Sequence, residues 1–251
     1  MKVVATYSIK GGVGKTSAAV NLAALAAREG RRTLIWDLDP QGAATFLFRI
    51  RAKVKGGGSK LVRGRRDPLS VVKGTDVEGL DLLPADFSYR HLDIALDQSK
   101  KPLKGVSRVL DPLAEHYDVA ILDCPPSISL VSENVFTAAD ALLVPLVPST
   151  LSVRTFEQLQ AFLADGPQPA PETIAFLSMV DRRRRLHREL AASLPEALPG
   201  VARAAIPVAS AVELMGVTRV PLVVHHPRSP AAEAYAALWA EITERIAPTD
   251  R

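Results

Sequence analysis

Two lysines flank a run of glycines near the start of the chain: Lys10, Gly11, Gly12, Val13, Gly14, Lys15, then Thr16 and Ser17. Amines beside glycine N–H groups are suited to phosphate recognition. Glycine has no Cβ, so its backbone N–H can approach phosphate oxygens closely. A helix starting just after the loop would add unpaired N–H groups and its positive dipole end. Lys15 would supply charge to β- and γ-phosphates, and the Thr16 hydroxyl is an oxygen ligand suited to Mg²⁺. Three carboxylates carry the complementary chemistry. Asp37 and Asp39 stand in the stretch DLDPQG, and Asp123 ends the apolar run VAIL. A carboxylate beside a γ-phosphate can orient an attacking water, and an acid ending a buried strand can hold Mg²⁺ through a water. Cys124 follows Asp123 directly. With no histidine partner identifiable nearby, it reads as a small buried thiol rather than a nucleophile.

Those residues must be positioned by strands and helices. Val3 to Ser8 is β-rich and leads into the glycines, and Ala-rich Ser17 to Arg28 has helical spacing, with Gly30 as a terminator. Strand, glycine turn, helix is the geometry of a phosphate-binding loop. Further strands are expected at Thr33–Asp37, Gly79–Ala85, within Tyr117–Pro126, and at Asp140–Val147, Ile174–Val180 and Ala204–Pro207. Helical spacing occupies Ser88–Gln98, Val106–His116, Ser149–Leu163 and a segment opened by the arginines after Asp181. Ser229–Ile246 is a closing helix capped by Ser229, with Pro230 in its first turn. Alternation of this kind predicts an α/β fold, a mainly parallel twisted sheet flanked by helices on both faces, with its chemistry at the carboxyl ends of the strands.

A chain of 251 residues, 47% of them apolar, is a folded globular chain and fits one domain over 1–251. A single cysteine excludes an internal disulfide framework and fits a cytoplasmic protein. No apolar run approaches membrane-spanning length. The net charge of +4 is unevenly spread: Arg49 to Lys73 holds nine Lys/Arg and one Asp, so the remainder is net negative. Residues 49–67, with a triple glycine, read as an exposed basic loop or insertion, either a patch for a polyanion or simply a solvated, mobile loop.

The glycine loop departs from the common G-x-x-x-x-G-K-[ST] pattern, since Ile9 occupies its first position and Lys10 follows. KGGVGKT with both lysines resembles the deviant Walker A box of the ParA/MinD group of P-loop ATPases. DLDPQG, LLPA, DCPP and the C-terminal IP and SPAAEAY stretches extend the resemblance over essentially the whole chain. The resemblance implies ATP and Mg²⁺ as cofactors, with Lys10, Lys15 and Asp39 in catalysis and Lys10 reaching the ATP of a partner subunit. It implies Thr16, Asp37 and Asp123 around the metal. Gly11, Gly12, Val13, Gly14, Thr16 and Ser17 would hold phosphates, and Met179, Asp181 and Pro207 would surround the base. It further implies an ATP-dependent homodimer that binds nonspecific DNA, a ParB-like or other adaptor that stimulates slow hydrolysis, and a nucleoid-associated location. Candidate DNA contacts are Arg182, Arg183, Arg184, Arg185 and Arg188. Arginines that the family often carries after the IP segment are missing from VASAVEL, where Arg219 or the basic loop could substitute.

Two other functions stay open. A MinD-like membrane-associated positioning ATPase would need a basic amphipathic helix beyond the closing helix, where only APTDR follows Ile246, so a membrane partner is not expected. A metabolic P-loop enzyme of the same superfamily would need its own substrate pocket.

Overall fold

The computed structural model describes residues 1–166 and 170–247. The APTDR tail therefore lies, beyond its first residue, outside the described residues. Eight strands form one sheet: β1 (Lys2–Thr6), β2 (Thr33–Asp37), β3 (Lys73–Gly74), β4 (Leu80–Leu83), β5 (Val119–Asp123), β6 (Ala141–Leu146), β7 (Glu172–Val180) and β8 (Val201–Pro207). Their order across the sheet is β3-β4-β2-β5-β1-β6-β7-β8. All neighbours pair parallel except β3, which runs antiparallel to β4 at one edge. Strands covered on both faces must be apolar throughout, which is why runs such as VAIL carry no polar alternation.

The larger helices are α1 (Lys15–Arg28), α2 (Ala43–Leu47), α3 (Gly57–Val62), α4 (Leu92–Asp97), α5 (Gly105–Leu110), α6 (Leu130–Ala138), α7 (Thr150–Ala164), α8 (Arg185–Ala197) and a closing helix, Pro230–Ile246. Successive strand residues face opposite sides, so β1 contributes Val3 and Ala5 to one core and Val4 to the other. The first core also holds Trp36, Leu83 and Leu122 and is covered by α3 to α8; the second holds Ile35, Ile121 and Leu143 beneath α1 and the closing helix. The alanines of α1 present almost no side-chain bulk, so the helix lies close on the sheet. The closing helix is capped as expected, Ser229 Oγ accepting from Ala232 N at 3.3 Å. No helix among the described residues is long and apolar enough to cross a membrane.

Residues 49–67 differ from the exposed loop that their composition suggests. They contain α3, and Val54, Leu61 and Val62 are buried in the first core. Asp86 accepts from Val54 N at 2.7 Å, Ser88 Oγ accepts from Gly58 N at 2.9 Å, and Arg108 donates to the Val62 carbonyl at 2.6 Å. A Cβ at Gly58 would collide with the Tyr89 ring, so that glycine serves close packing rather than flexibility. Three apolar residues spaced among the cations were enough to pin the segment.

Candidate active site

Three strands end side by side in chemistry. Thr6, Asp37 and Asp123 are the last residues of β1, β2 and β5, and Asp123 is in register with both of the others. The chain direction changes here: β2, β4 and β3 lie to one side of β1, while β6, β7 and β8 lie to the other. A crevice beyond the carboxyl ends at such a reversal is where open α/β sheets bind ligands.

The glycine loop closes over that crevice. Gly12 and Gly14 have φ of 72° and 95°, which a side chain would disfavour, and Gly14 is the N-cap of α1. A Cβ at Gly14 would also lie 2.7 Å from Ser178 Oγ, so glycine lets β7 close against the loop. Lys15 is buried, and its Nζ donates to the Lys10 carbonyl at 3.1 Å. Burial pushes its pKa down, against the pull of Asp123 and Asp39. Lys10 itself is exposed; its N–H donates to Ser8 Oγ, and its ammonium has no acceptor among the described residues.

A cleft of about 360 Å³ is lined by Gly11, Gly12, Gly14, Lys15, Thr16 and Ser17 on one side and by Met179, Pro207 and Tyr235 on another, with Asp39 at its edge. Met179 has φ of 59° and Val208 beside it is exposed, which leaves an apolar wall facing the cleft. Phosphate-binding loop and apolar wall thus belong to one cavity. Lys10 and Val13 do not line it; they line a separate small pocket with Tyr7, Pro145 and Phe156.

Asp181 departs from the expectation. It does not line the cleft: Arg183 grips its carboxylate through Nε at 2.9 Å and Nη2 at 3.0 Å, which holds Asp181 down at about 2. Met179 lines the cleft, and Asp181, two residues on, does not. The pairing with Asp181 partly neutralises Arg183. Arg185 pairs with Glu189 at 2.6 Å, and Arg188 donates to the carbonyls of Arg182 and Arg183, fastening their loop. Arg182 and Arg184 are exposed, and their guanidinium groups have no partner among the described residues. Arg219 is likewise occupied, its Nε donating to the Phe46 carbonyl at 2.8 Å and its guanidinium covering the Phe46 ring at 4.3 Å.

The buried acids have different partners. Asp37 Oδ2 accepts from both the N–H and the hydroxyl of Thr45, each at 2.7 Å, and Thr45 Oγ1 accepts from Ala85 N. Asp37 Oδ1 accepts from Asp39 N at 3.2 Å. Asp37 therefore shapes the turn that carries Asp39, and Thr45 holds it there. Sequence reading had no signal for Thr45, since a threonine in a short helix has many bland uses. Asp123 Oδ1 receives a long 3.4 Å bond from Thr6, while Oδ2 is buried with no hydrogen-bond partner. An orphaned carboxylate oxygen is costly in a dry site. Mg²⁺ fits here: Thr16 and Asp123 supply oxygen, and no cluster of three acidic, His or Cys side chains among the described residues would hold a metal alone. Mg²⁺ usually completes its shell with waters and substrate phosphates. When bound, it neutralises developing charge on the phosphates. Cys124 is buried and its thiol is pushed well up, chiefly by burial, which makes it inert.

Burial and the neighbouring Asp37 push the Asp123 pKa up. A raised carboxylate holds its proton more tightly folded than unfolded. Its stabilising contribution is full below the unfolded value, about 3.9, and is lost as pH rises through the folded one. Melting temperatures without Mg²⁺ should therefore fall as pH rises from the unfolded value toward the folded one, and Asp123→Asn should flatten the slope. An unchanged slope in the variant would place the titration elsewhere.

Strand-end acids facing a helix-capping glycine loop define one class of protein, the P-loop ATPases, in which hydrolysis of a bound triphosphate is arranged mainly by position and charge. The chain belongs to the AAA domain family (AAA_31), whose model matches residues 1–166, and within it to the ParA/Soj type. It is 35% identical over 159 residues to the sporulation initiation inhibitor protein Soj of Bacillus subtilis, a match spanning 63% of each protein. It is 33% identical over 252 residues to the chromosome-partitioning ATPase Soj of Thermus thermophilus, covering 97% of this chain and 96% of that one. The crystal structure of cobyrinic acid a,c-diamide synthase from Mycobacterium smegmatis with bound ADP and magnesium superposes with a TM-score of 0.80 at 26% identity, covering 99% and 97%. The cofactors are ATP and Mg²⁺.

Proposed function

We propose that this ATPase is a nucleotide-dependent dimerisation switch that binds nonspecific DNA and so segregates or positions a DNA or protein cargo. The observation that carries the proposal is Lys10. Its ammonium is exposed and unpartnered, on a loop whose carbonyl is already held by Lys15. A second subunit's triphosphate would give it an acceptor. No arginine among the described residues lines the cleft, so hydrolysis is expected to be slow until charge arrives from the partner's Lys10 or from a ParB-like adaptor. Lys15 and Thr16 bind phosphate and metal, Asp39 orients the water, Asp37 and Thr45 fix its turn, and Met179 and Pro207 face the base. The partitioning function named for the Thermus thermophilus relative supports a nucleoid-associated role in the cytoplasm. Arg182 and Arg184, exposed and unpaired, are the strongest candidates for phosphate contacts.

Retention on random-sequence duplex tests this. Wild type with ATP should be retained, with retention falling steeply as salt rises. Lys10→Ala should bind ATP yet stay monomeric in light scattering and lose retention. Arg182→Ala with Arg184→Ala should dimerise and lose retention. A monomeric wild type in ATP, or a Lys10→Ala protein that dimerises normally, defeats the switch. Hydrolysis indifferent to DNA and to any adaptor would favour a metabolic enzyme, a reading supported by the likeness to the diamide synthase structure.

A further inference from the structure

A second groove, of about 710 Å³, opens at the β3 edge of the sheet and shares no lining residue with the nucleotide cleft. Its walls carry Arg51, Lys53, Lys55, Arg66 and Lys73, and no acidic residue lines it. We propose that this groove binds a soluble anion carrying several phosphates in series, at a site separate from the ATP site.

The groove is built, not incidental. Its floor includes Ile50 and Val71, and Val71 is anchored in the first core. Val54, between the two groove lysines, is buried and tied to Asp86, and Lys73 and Gly74 are held in the ladder with β4. The approach to β3 is braced by a turn in which Asp67 accepts from Leu69 N at 3.0 Å and Pro68 O accepts from Val71 N at 3.0 Å. Five cationic side chains are thereby anchored on a rigid backbone around one concavity. Such convergence is unfavourable unless something answers it. None of the five forms an ion pair among the described residues, and the field of Lys53 helps to hold Asp86 below the usual carboxylate range. Arg66 gives an independent sign. Its Nε is shut off from water and has no hydrogen-bond acceptor among the described residues. Arg and Lys donors converging on one pocket match phosphate oxygens, and the volume is that of a small-ligand site. A duplex would rest on the rim; a soluble oligophosphate can enter the groove. No aromatic side chain lines it, so bases have nothing to stack on.

The test uses full-length protein with its nucleotide loop saturated by ADP and Mg²⁺, titrated calorimetrically with inorganic tripolyphosphate, and in a second arm with a short duplex. Tripolyphosphate should fill one further site. The triple variant Arg51→Ala, Lys53→Ala, Lys55→Ala, all at exposed positions, should weaken that site by roughly tenfold or more, with its melting temperature and basal ATP hydrolysis unchanged. Arg184→Ala should leave it intact. The proposal is overturned if saturated protein takes up no tripolyphosphate, if the triple variant binds it as well as wild type, or if these three residues matter for duplex but not for tripolyphosphate.

Discussion

Lys15→Ala should lose ATP binding by about 100-fold or more, without losing the fold. The lysine is the one buried cation of the loop, and its amine lies at the mouth of a helix whose first N–H groups point into the cleft. Each charge-assisted bond to phosphate is worth about 1.5–3 kcal/mol, and two of them are forfeited together. Stability of the empty protein should move the other way, if at all. Burial depresses the Lys15 pKa, which means that holding this ammonium in the folded chain is unfavourable. Truncation removes that cost along with the bond to the Lys10 carbonyl. Wild type, by contrast, should gain about 2.7 kcal/mol from nucleotide at 100 times its dissociation constant. Calorimetry and thermal melts with and without Mg²⁺–ATP check both halves. A variant that still binds within a few-fold of wild type would leave the backbone N–H cradle as the main phosphate anchor and Lys15 as a mere structural clasp.

Much of this arrangement was legible because its signals are local. Thr33–Asp37 forms its strand with the bounds its sequence suggests, since an apolar run between turn residues has few other uses. Gly11, Gly12, Gly14, Lys15, Thr16 and Ser17 line one cleft, and Lys10 and Val13 do not. What stayed hidden depends on residues far apart in the chain. Thr45 joins Asp37, 8 positions before it, to Ala85, 40 positions after it, and no periodicity encodes that. Asp181 was a candidate base contact; it is absent from the cleft lining and bonded to Arg183, two residues on, a pairing that the spacing of the segment does not reveal. Residues 49–67 misled through composition. Charge and glycine dominate the segment, yet Val54, Leu61 and Val62 decide its path, because burying each large apolar side chain contributes about 1.5–3 kcal/mol while exposed cations contribute little either way.

Asp39→Asn should abolish hydrolysis as thoroughly as Asp39→Ala while leaving ATP bound, and that pairing separates chemistry from architecture. Asp39 Oδ1 accepts from Gln41 N at 2.9 Å, and the Asp39 carbonyl accepts from Gly42 N at 2.9 Å, so the residue also closes a turn. Alanine deletes the side-chain bond of that turn; asparagine keeps an oxygen to accept it but brings no negative charge. The other carboxylate oxygen has no partner among the described residues, and Asp39 lines the same cleft as Lys15 and Thr16. An unpaired carboxylate oxygen facing a phosphate site is positioned to hold a water and take its proton, a contribution of about 100-fold to 10,000-fold. If the role were only to hold the turn, Asp39→Asn would turn over near the wild-type rate and Asp39→Ala alone would fail. If the charge is what matters, both fall by about 100-fold or more in steady-state hydrolysis, both keep ATP affinity within about threefold in calorimetry, and both accumulate as ATP-bound dimer, because the step that would release the subunits no longer occurs.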